Sequence, residues 1–379
     1  MSISRSFSDN EDFELLDGPT YDNLYGKIHA RAIHRHRRTP QEQRPNISEH
    51  VAEQGYNLAY NHILDALNYL ARCESDQNSD NTLKNAAQIL EKLYWNEPAD
   101  VADRTDALEV AALAYYLAGY YARAYVLMQG VSESTNSSNK MMRLMFLREL
   151  PKIRDLALKT LSQAQFRDVL LADSVNKGEI DQTKGINFAL EGTLHRVYLL
   201  FYEHARTGHN DLIEQAIDFC NVGILLAIDQ QSQDWRWTFY CTTSLLREYH
   251  RNSLWTCLRP MMDDSALNPV RRYIRAAFWR PTHPILELWR SQSHVVENIN
   301  DGRSYCVKMP TGSGKTRIAE LTILKFLLDT QDEPRKKCLY IAPYRALAAE
   351  LEQSLRRSFA PIDVGVSQLY GSYDSNPAE

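Results

Sequence analysis

Apolar positions recur with two different periods along this chain. From Ser48 onward the helical period dominates. Tyr56, Tyr60, Ile63, Leu64, Leu67 and Leu70 are spaced by three and four, which predicts one buried helical face. A second helix is predicted through Leu83, Ala87, Ile89, Leu90 and Leu93, ending before Pro98. Residues 108–124 predict two helices joined at Gly119. Ala111, Ala112, Ala118, Ala122 and Ala124 let the two approach closely, and tyrosines fill the flanks. Helical patterns continue through 141–173, 188–208, 211–229 and 236–258. After residue 300 strand and helix patterns alternate. Ser304–Met309, Cys338–Ala342 and Val364–Tyr370 read as short strands. Between them lie apolar helices through Ile318, Leu321, Leu324 and Leu328, and through Leu347, Leu351 and Leu355.

Composition narrows the classes. Of 379 residues, 44% are apolar and 24% charged, with a net charge of −5, which excludes a disordered, collagen-like or disulfide-stapled chain. No apolar run approaches the length of a membrane span, and the first ten residues lack the apolar core of a secretory signal, so a soluble protein is expected. Cys73, Cys220, Cys241, Cys257, Cys306 and Cys338 lie far apart with no C-x-x-C pair; reduced, structural thiols and a cytoplasmic setting are expected. His195, His204, His209 and His250 show no metal-ligand spacing. Ten of the 15 glycines precede residue 300, so breakers are thin over a long helical region.

Four stretches are expected. Residues 1–47 read as a flexible basic leader with room for one short helix; five Arg/Lys and three His between Lys27 and Arg38 also suit a nucleic-acid or partner contact. Residues 48–265 read as an irregular array of helical hairpins. One of these resembles a tetratricopeptide repeat at Ala114, Tyr115, Tyr116, Gly119, Tyr121 and Ala124, without further copies at that period. The tyrosine-rich face is read as packing. Residues 266–300 read as a connector. Within it Asn268–Pro281 carries four arginines and three aromatics, which suits a clamp on the following domain and, as the sharper alternative, a nucleic-acid strand. Residues 301–379 form the stretch that carries chemistry.

There the strand ending at Met309 runs into Pro310-Thr-Gly-Ser-Gly-Lys-Thr316 and then a helix, the context of a phosphate-binding loop. Gly312 and Gly314 permit backbone angles that turn several N–H groups towards one anion, and Thr311 and Ser313 complete the loop. The helix adds its free N–H groups and the positive end of its dipole. Lys315 is placed to reach the β- and γ-phosphates of ATP, and the Thr316 hydroxyl to coordinate Mg²⁺. The strict motif has glycine where this chain has Met309.

The form Met-Pro-Thr-Gly-Ser-Gly-Lys-Thr resembles the first motif of superfamily 2 helicases. That resemblance implies further roles. Gln292, 23 residues before Lys315, corresponds to a glutamine that reads the adenine edge. Pro343-Tyr-Arg-Ala-Leu-Ala348 is similar to a motif that contacts the nucleic-acid backbone, implicating Pro343 and Arg345. Gly371-Ser-Tyr-Asp-Ser375 resembles the G-x-Y-D-S loop of the DExH branch holding archaeal repair helicases and exosome-associated RNA helicases, implicating Gly371 and Ser372. A helical module ahead of Pro284–Gln292 also resembles the large helicase subunit of Hachiman-type antiphage systems. The implied fold class is mainly α, partly tetratricopeptide-like, followed by a partial α/β RecA-like domain. The implied function is the N-terminal part of an ATP-dependent helicase or translocase acting on DNA or RNA; the tyrosine-rich helical hairpins separately suit a protein partner. The acidic D-E-x-H motif is not among the 379 residues, so a fragment, split gene or truncation inactive by itself is expected. The competing expectation is a non-catalytic helical scaffold with a regulatory or vestigial nucleotide loop.

Overall fold

The computed structural model describes residues 16, 18–36, 47–72, 76–96, 106–131, 137–162, 182–263, 268–281, 283–299, 304–309, 313–329, 337–342 and 344–368. The chain divides into two compact units. The first comprises Met1–Glu203 and His209–Glu248, the second His204–Gly208 and Tyr249–Glu379.

The first unit is built from α1 (Gly18–His36), α2 (Glu49–Arg72), α3 (Gln77–Asn96), α4 (Asp106–Leu117), α5 (Tyr121–Gly130), α6 (Ser137–Phe146), α7 (Leu150–Leu161), most of α8 (Gln182–Thr207), α9 (Asn210–Asp229) and most of α10 (Gln233–Asn252). The predicted face of α2 is the buried one: Tyr56, Ile63, Leu64 and Leu67 are all under 3% exposed. Burying each such side chain contributes about 1.5–3 kcal/mol.

Gly119 takes φ +82°, which lets the chain turn from α4 into α5. Tyr115, Tyr116 and Tyr121 are buried as the packing reading required, and Tyr120 is exposed. Each buried hydroxyl that reaches a carboxylate is satisfied: Tyr115 donates to Glu91 at 3.0 Å and Tyr121 to Glu248 at 2.8 Å.

Three boundaries differ from expectation. Residues 18–36 of the expected leader form the 19-residue α1, which takes in the basic stretch up to His36 and has an apolar side: Tyr21 and Ile28 are buried, and the Tyr21 hydroxyl donates to Gln88 at 2.9 Å. Leu16, just ahead of it, receives a 2.8 Å bond on its carbonyl from Asn85. The pattern over 141–173 breaks into α6 and α7, with Arg148 in the left-handed region at φ 59°, and 163–173 lies outside the described residues. The pattern over 236–258 breaks at Ser253, whose backbone bridges to Glu287 and whose hydroxyl caps the short α11 (Leu254–Cys257) by accepting from Thr256 N–H at 3.1 Å.

The second unit continues with a 3₁₀ turn at Arg259–Met261, α12 (Pro269–Phe278), α13 (Arg290–Ile299), α14 (Lys315–Asp329), α15 (Arg345–Phe359) and a 3₁₀ turn at Ala360–Ile362. Its core gathers Leu254, Trp255, Ile274, Leu288, Val296, Ile318, Leu321, Leu324, Leu355 and Phe359. Among the described residues no β-ladder forms here. The expected strand segments 304–309 and 364–368 carry no regular secondary structure, and alternate residues (Val307 and Met309, Val364 and Val366) pack against the core. They keep the strand period without the partner ladder that defines a sheet. Segment 337–342 likewise carries no regular secondary structure and is largely exposed, with Leu339 72% and Ile341 82% accessible.

Candidate nucleotide-binding loop

The site grows out of a pinned segment. Leu254 N–H donates to Leu286 O at 2.9 Å, and Leu288 N–H to Asn252 O at 2.8 Å. These bonds tie Pro284–Trp289 to the residues around Ser253, and Ser293 adds a 3.1 Å hydroxyl bond to the Asn252 side chain. The segment thereby delivers Gln292 in the first turn of α13, only 5% exposed.

Three hydrogen bonds join that amide to backbone. Its Oε1 accepts from Trp289 N–H at 2.9 Å. Its Nε2 donates to Ser313 O at 3.3 Å and to Gly314 O at 3.2 Å. Gln292 thus joins the start of α13 to the loop ahead of α14. Gly314 stands at φ +78°, and a Cβ there would collide with Gln292 Nε2. The Gly314 carbonyl also accepts from Arg317 N–H at 2.9 Å, closing the first turn of α14.

Lys315 and Thr316 occupy the first two positions of α14 and are exposed. The N–H groups of a first helical turn lack intrahelical acceptors and carry the positive end of the dipole. The Lys315 ammonium donates to Met309 O at 2.8 Å, so it folds back along the loop towards the segment that precedes it. A left-handed glycine, an open helix start, an ammonium and a hydroxyl fit a polyphosphate with its metal ion: N–H and ammonium donors meet anionic oxygens, and the Thr316 hydroxyl suits a hard cation.

The structure brings Gln292, Ser313, Gly314, Lys315 and Thr316 to one place. Thr311 and Gly312 lie outside the described residues, as do Pro343, Gly371 and Ser372; Arg345 begins α15, with its side chain outside the description.

Sequence reasoning missed the group behind the loop. Tyr273 on α12 donates to Glu320 at 2.6 Å, while Arg317 donates to Tyr273 at 2.9 Å and to Glu320 at 2.6 Å. Burial and the neighbouring Glu320 hold the Tyr273 phenol well above its ordinary range. Burial works against the Arg317 charge, but Tyr273 and Glu320 outweigh it and hold the guanidinium protonated. The available signal was a carboxylate on the apolar face of α14, one turn beyond an arginine. Asn268–Pro281 packs through one face: Val270, Tyr273, Ile274, Ala277 and Phe278 are buried, Arg272 pairs with Asp363 at 2.8 Å and Arg280 donates to Ser358 at 2.7 Å.

Residues 289–378 match the DEAD/DEAH box helicase family. The resemblance read from the loop is met by relatives of the DExH kind. The archaeal ATP-dependent DNA helicase Hel308 of Methanocaldococcus jannaschii is 30% identical over 95 residues, 24% of this chain and 8% of the helicase. The ATP-dependent DNA helicase MER3 of Saccharomyces cerevisiae is 33% identical over 90 residues, 23% of this chain and 8% of that protein. Similarity to the Hachiman protein HamB of Bacillus cereus runs through both units: 29% identity over 345 residues, 90% of this chain. The chain spans 29% of the length of HamB. No described helix is long and apolar enough to cross a membrane.

Proposed function

We propose that this chain is the N-terminal part of an ATP-dependent superfamily 2 helicase or translocase, with residues 301–379 forming part of a RecA-like α/β domain behind a helical-hairpin module at 48–265. The observation that carries the reading is the junction at Gly314. A left-handed glycine held by Gln292 opens directly onto the first turn of α14 with Lys315 and Thr316 exposed.

In this reading the N–H groups of the loop and of the first turn bind the β- and γ-phosphates. Lys315 exchanges its bond to Met309 O for a phosphate oxygen, placing positive charge where negative charge develops. Thr316 holds Mg²⁺, which supplies charge neutralisation across the phosphates when bound. Gln292 braces the loop through Ser313 and Gly314, and reading the adenine edge requires its amide to leave part of that network. Thr311 and Gly312 complete the cradle. Pro343, Arg345, Gly371 and Ser372 serve the strand backbone, which implies little sequence preference and strong salt dependence. The likeness to HamB along 90% of the chain supports a role in a defence system and a protein partner.

The test is titration of the purified 379-residue protein with a fluorescent Mg-ATP analogue, alongside Lys315→Ala. Saturable binding by the wild type and a loss of about a hundredfold or more in the variant are expected, since a charged contact to phosphate is removed. A scaffold with a vestigial loop would bind neither way. In the intact protein, Lys315→Ala is expected to abolish strand-stimulated hydrolysis.

A further inference from the structure

Tyr273, Arg317 and Glu320 form a closed triangle of hydrogen bonds behind the loop, with donor–acceptor distances of 2.6, 2.9 and 2.6 Å. Tyr273 and Glu320 are 1% and 2% exposed. None of the three is placed to touch a nucleotide in the reading above. Arg317 and Glu320 both belong to α14, at i and i+3, whereas Tyr273 comes from α12. The phenol is therefore the group in this triangle that ties the first turn of α14 to a different element.

Stability alone gives a poor account of the arrangement. The rest of the buried side of α14 is Ile318, Leu321 and Leu324, and an apolar residue at 320 would pack there at no desolvation cost. What apolar packing lacks is direction. Two hydrogen bonds to the Tyr273 hydroxyl, with the Arg317–Glu320 pair holding their two partners together, constrain the rotation of α14 relative to α12, and that rotation sets where the first-turn N–H groups point. Arg317 connects the two jobs. Its side chain closes the triangle, while its N–H holds Gly314 O, the same oxygen that accepts from Gln292 Nε2. The end of the loop is thus gripped from α13 through Gln292 and from α12 through Tyr273.

We propose that Tyr273, acting through Arg317 and Glu320, is a positioning residue for phosphate binding: it orients the first turn of α14 so that Lys315 and the free N–H groups converge on one anion. This rests on the nucleotide-binding reading of the loop. The charges facing the triangle make Tyr273→Phe the mildest probe. Arg280 lies close enough for Arg317 to help burial in depressing its pKa, and Glu320 opposes that effect, so neutralising Glu320 would also leave two guanidinium groups facing each other.

The experiment compares Mg-ATP and Mg-ADP binding, read by a fluorescent analogue, for the purified wild type, Tyr273→Phe, Arg317→Lys and Tyr198→Phe, with ligand-free melting recorded for each. Tyr198 is 1% exposed within the first unit, so its variant controls for the loss of a buried hydroxyl remote from the loop. The expected result is that Tyr273→Phe weakens both nucleotides by about tenfold, the effect of losing a hydrogen-bond network that orients the donors. Arg317→Lys, which keeps the charge but not the planar fork, is expected to weaken them by about fivefold. Tyr198→Phe is expected to lower the melting temperature with wild-type affinity. Wild-type affinity in Tyr273→Phe, or in Arg317→Lys should the phenylalanine variant fail to fold, overturns the proposal. So does an equal loss in Tyr198→Phe. If the wild type itself fails to bind Mg-ATP, the nucleotide reading falls first, an outcome separate from the others because every variant then behaves alike.

Discussion

Gly314 and Gly365 both lie in the second unit but differ in what surrounds them. At Gly314 the backbone is left-handed and a Cβ would strike the Gln292 amide; at Gly365 a Cβ would meet open space. Gly314→Ala therefore forces the loop to abandon either its φ or its bond to Gln292. A stability loss of about 1–2 kcal/mol is expected from the backbone alone, together with Mg-ATP affinity lower by about tenfold or more as the donors misalign. Gly365→Ala is expected to leave both unchanged. Thermal melts and nucleotide titration of the two variants check this. The requirement for glycine was legible in the motif. The partner that enforces it was not, because Gln292 precedes Gly314 by 22 residues and spacing alone does not say which atoms of the amide face which carbonyl.

Elements here are fastened to one another by buried carboxylates that accept from tyrosines. Glu91 on α3 takes the Tyr115 hydroxyl of α4 at 3.0 Å and the guanidinium of Arg123 on α5, with Arg123 Nε at 3.2 Å. Glu91→Ala leaves a buried phenol and a half-exposed cation without that acceptor. The expected cost is about 1–2 kcal/mol, discounted because the Arg123 side chain is 48% exposed, and urea unfolding followed by far-ultraviolet circular dichroism measures it. Helix periods showed which faces of α2, α3 and α4 turn inward, since an apolar stripe has one place to go. They misjudged α1 and the break at Ser253. Both depend on a distant segment, Asn85 and Gln88 for the former and Glu287 for the latter, which supplies the bonds that make the local conformation favourable.

For the molecule as a whole, the thiols report how deeply each unit is packed. Cys220 and Cys241 are buried in the first unit; Cys306 and Cys338 are exposed in the second. Burial pushes the Cys220 thiol up to about 12 and does the same to the half-buried Cys257, where Glu287 adds to the effect. A thiol reagent at pH 8 is expected to modify Cys306 in the native protein within minutes and Cys338 more slowly, since partial burial raises that thiol's pKa, with Cys220 and Cys241 reacting only on unfolding. Mass spectrometry of digested, time-quenched samples resolves the sites. Rapid native labelling of Cys220 or Cys241 would mean that the first unit opens far more readily than its packing implies. From the chain alone came the helical majority, the change of period near residue 300 and the loop at Pro310–Thr316, because period and motif are properties of neighbours in sequence. Three things belonged to tertiary structure: the docking of α1, the grip of Gln292 on the loop carbonyls and the Tyr273–Arg317–Glu320 triangle. Each is a bond between side chains or backbone atoms that are close only after folding, and directional bonds of that kind leave no periodic trace in the order of residues.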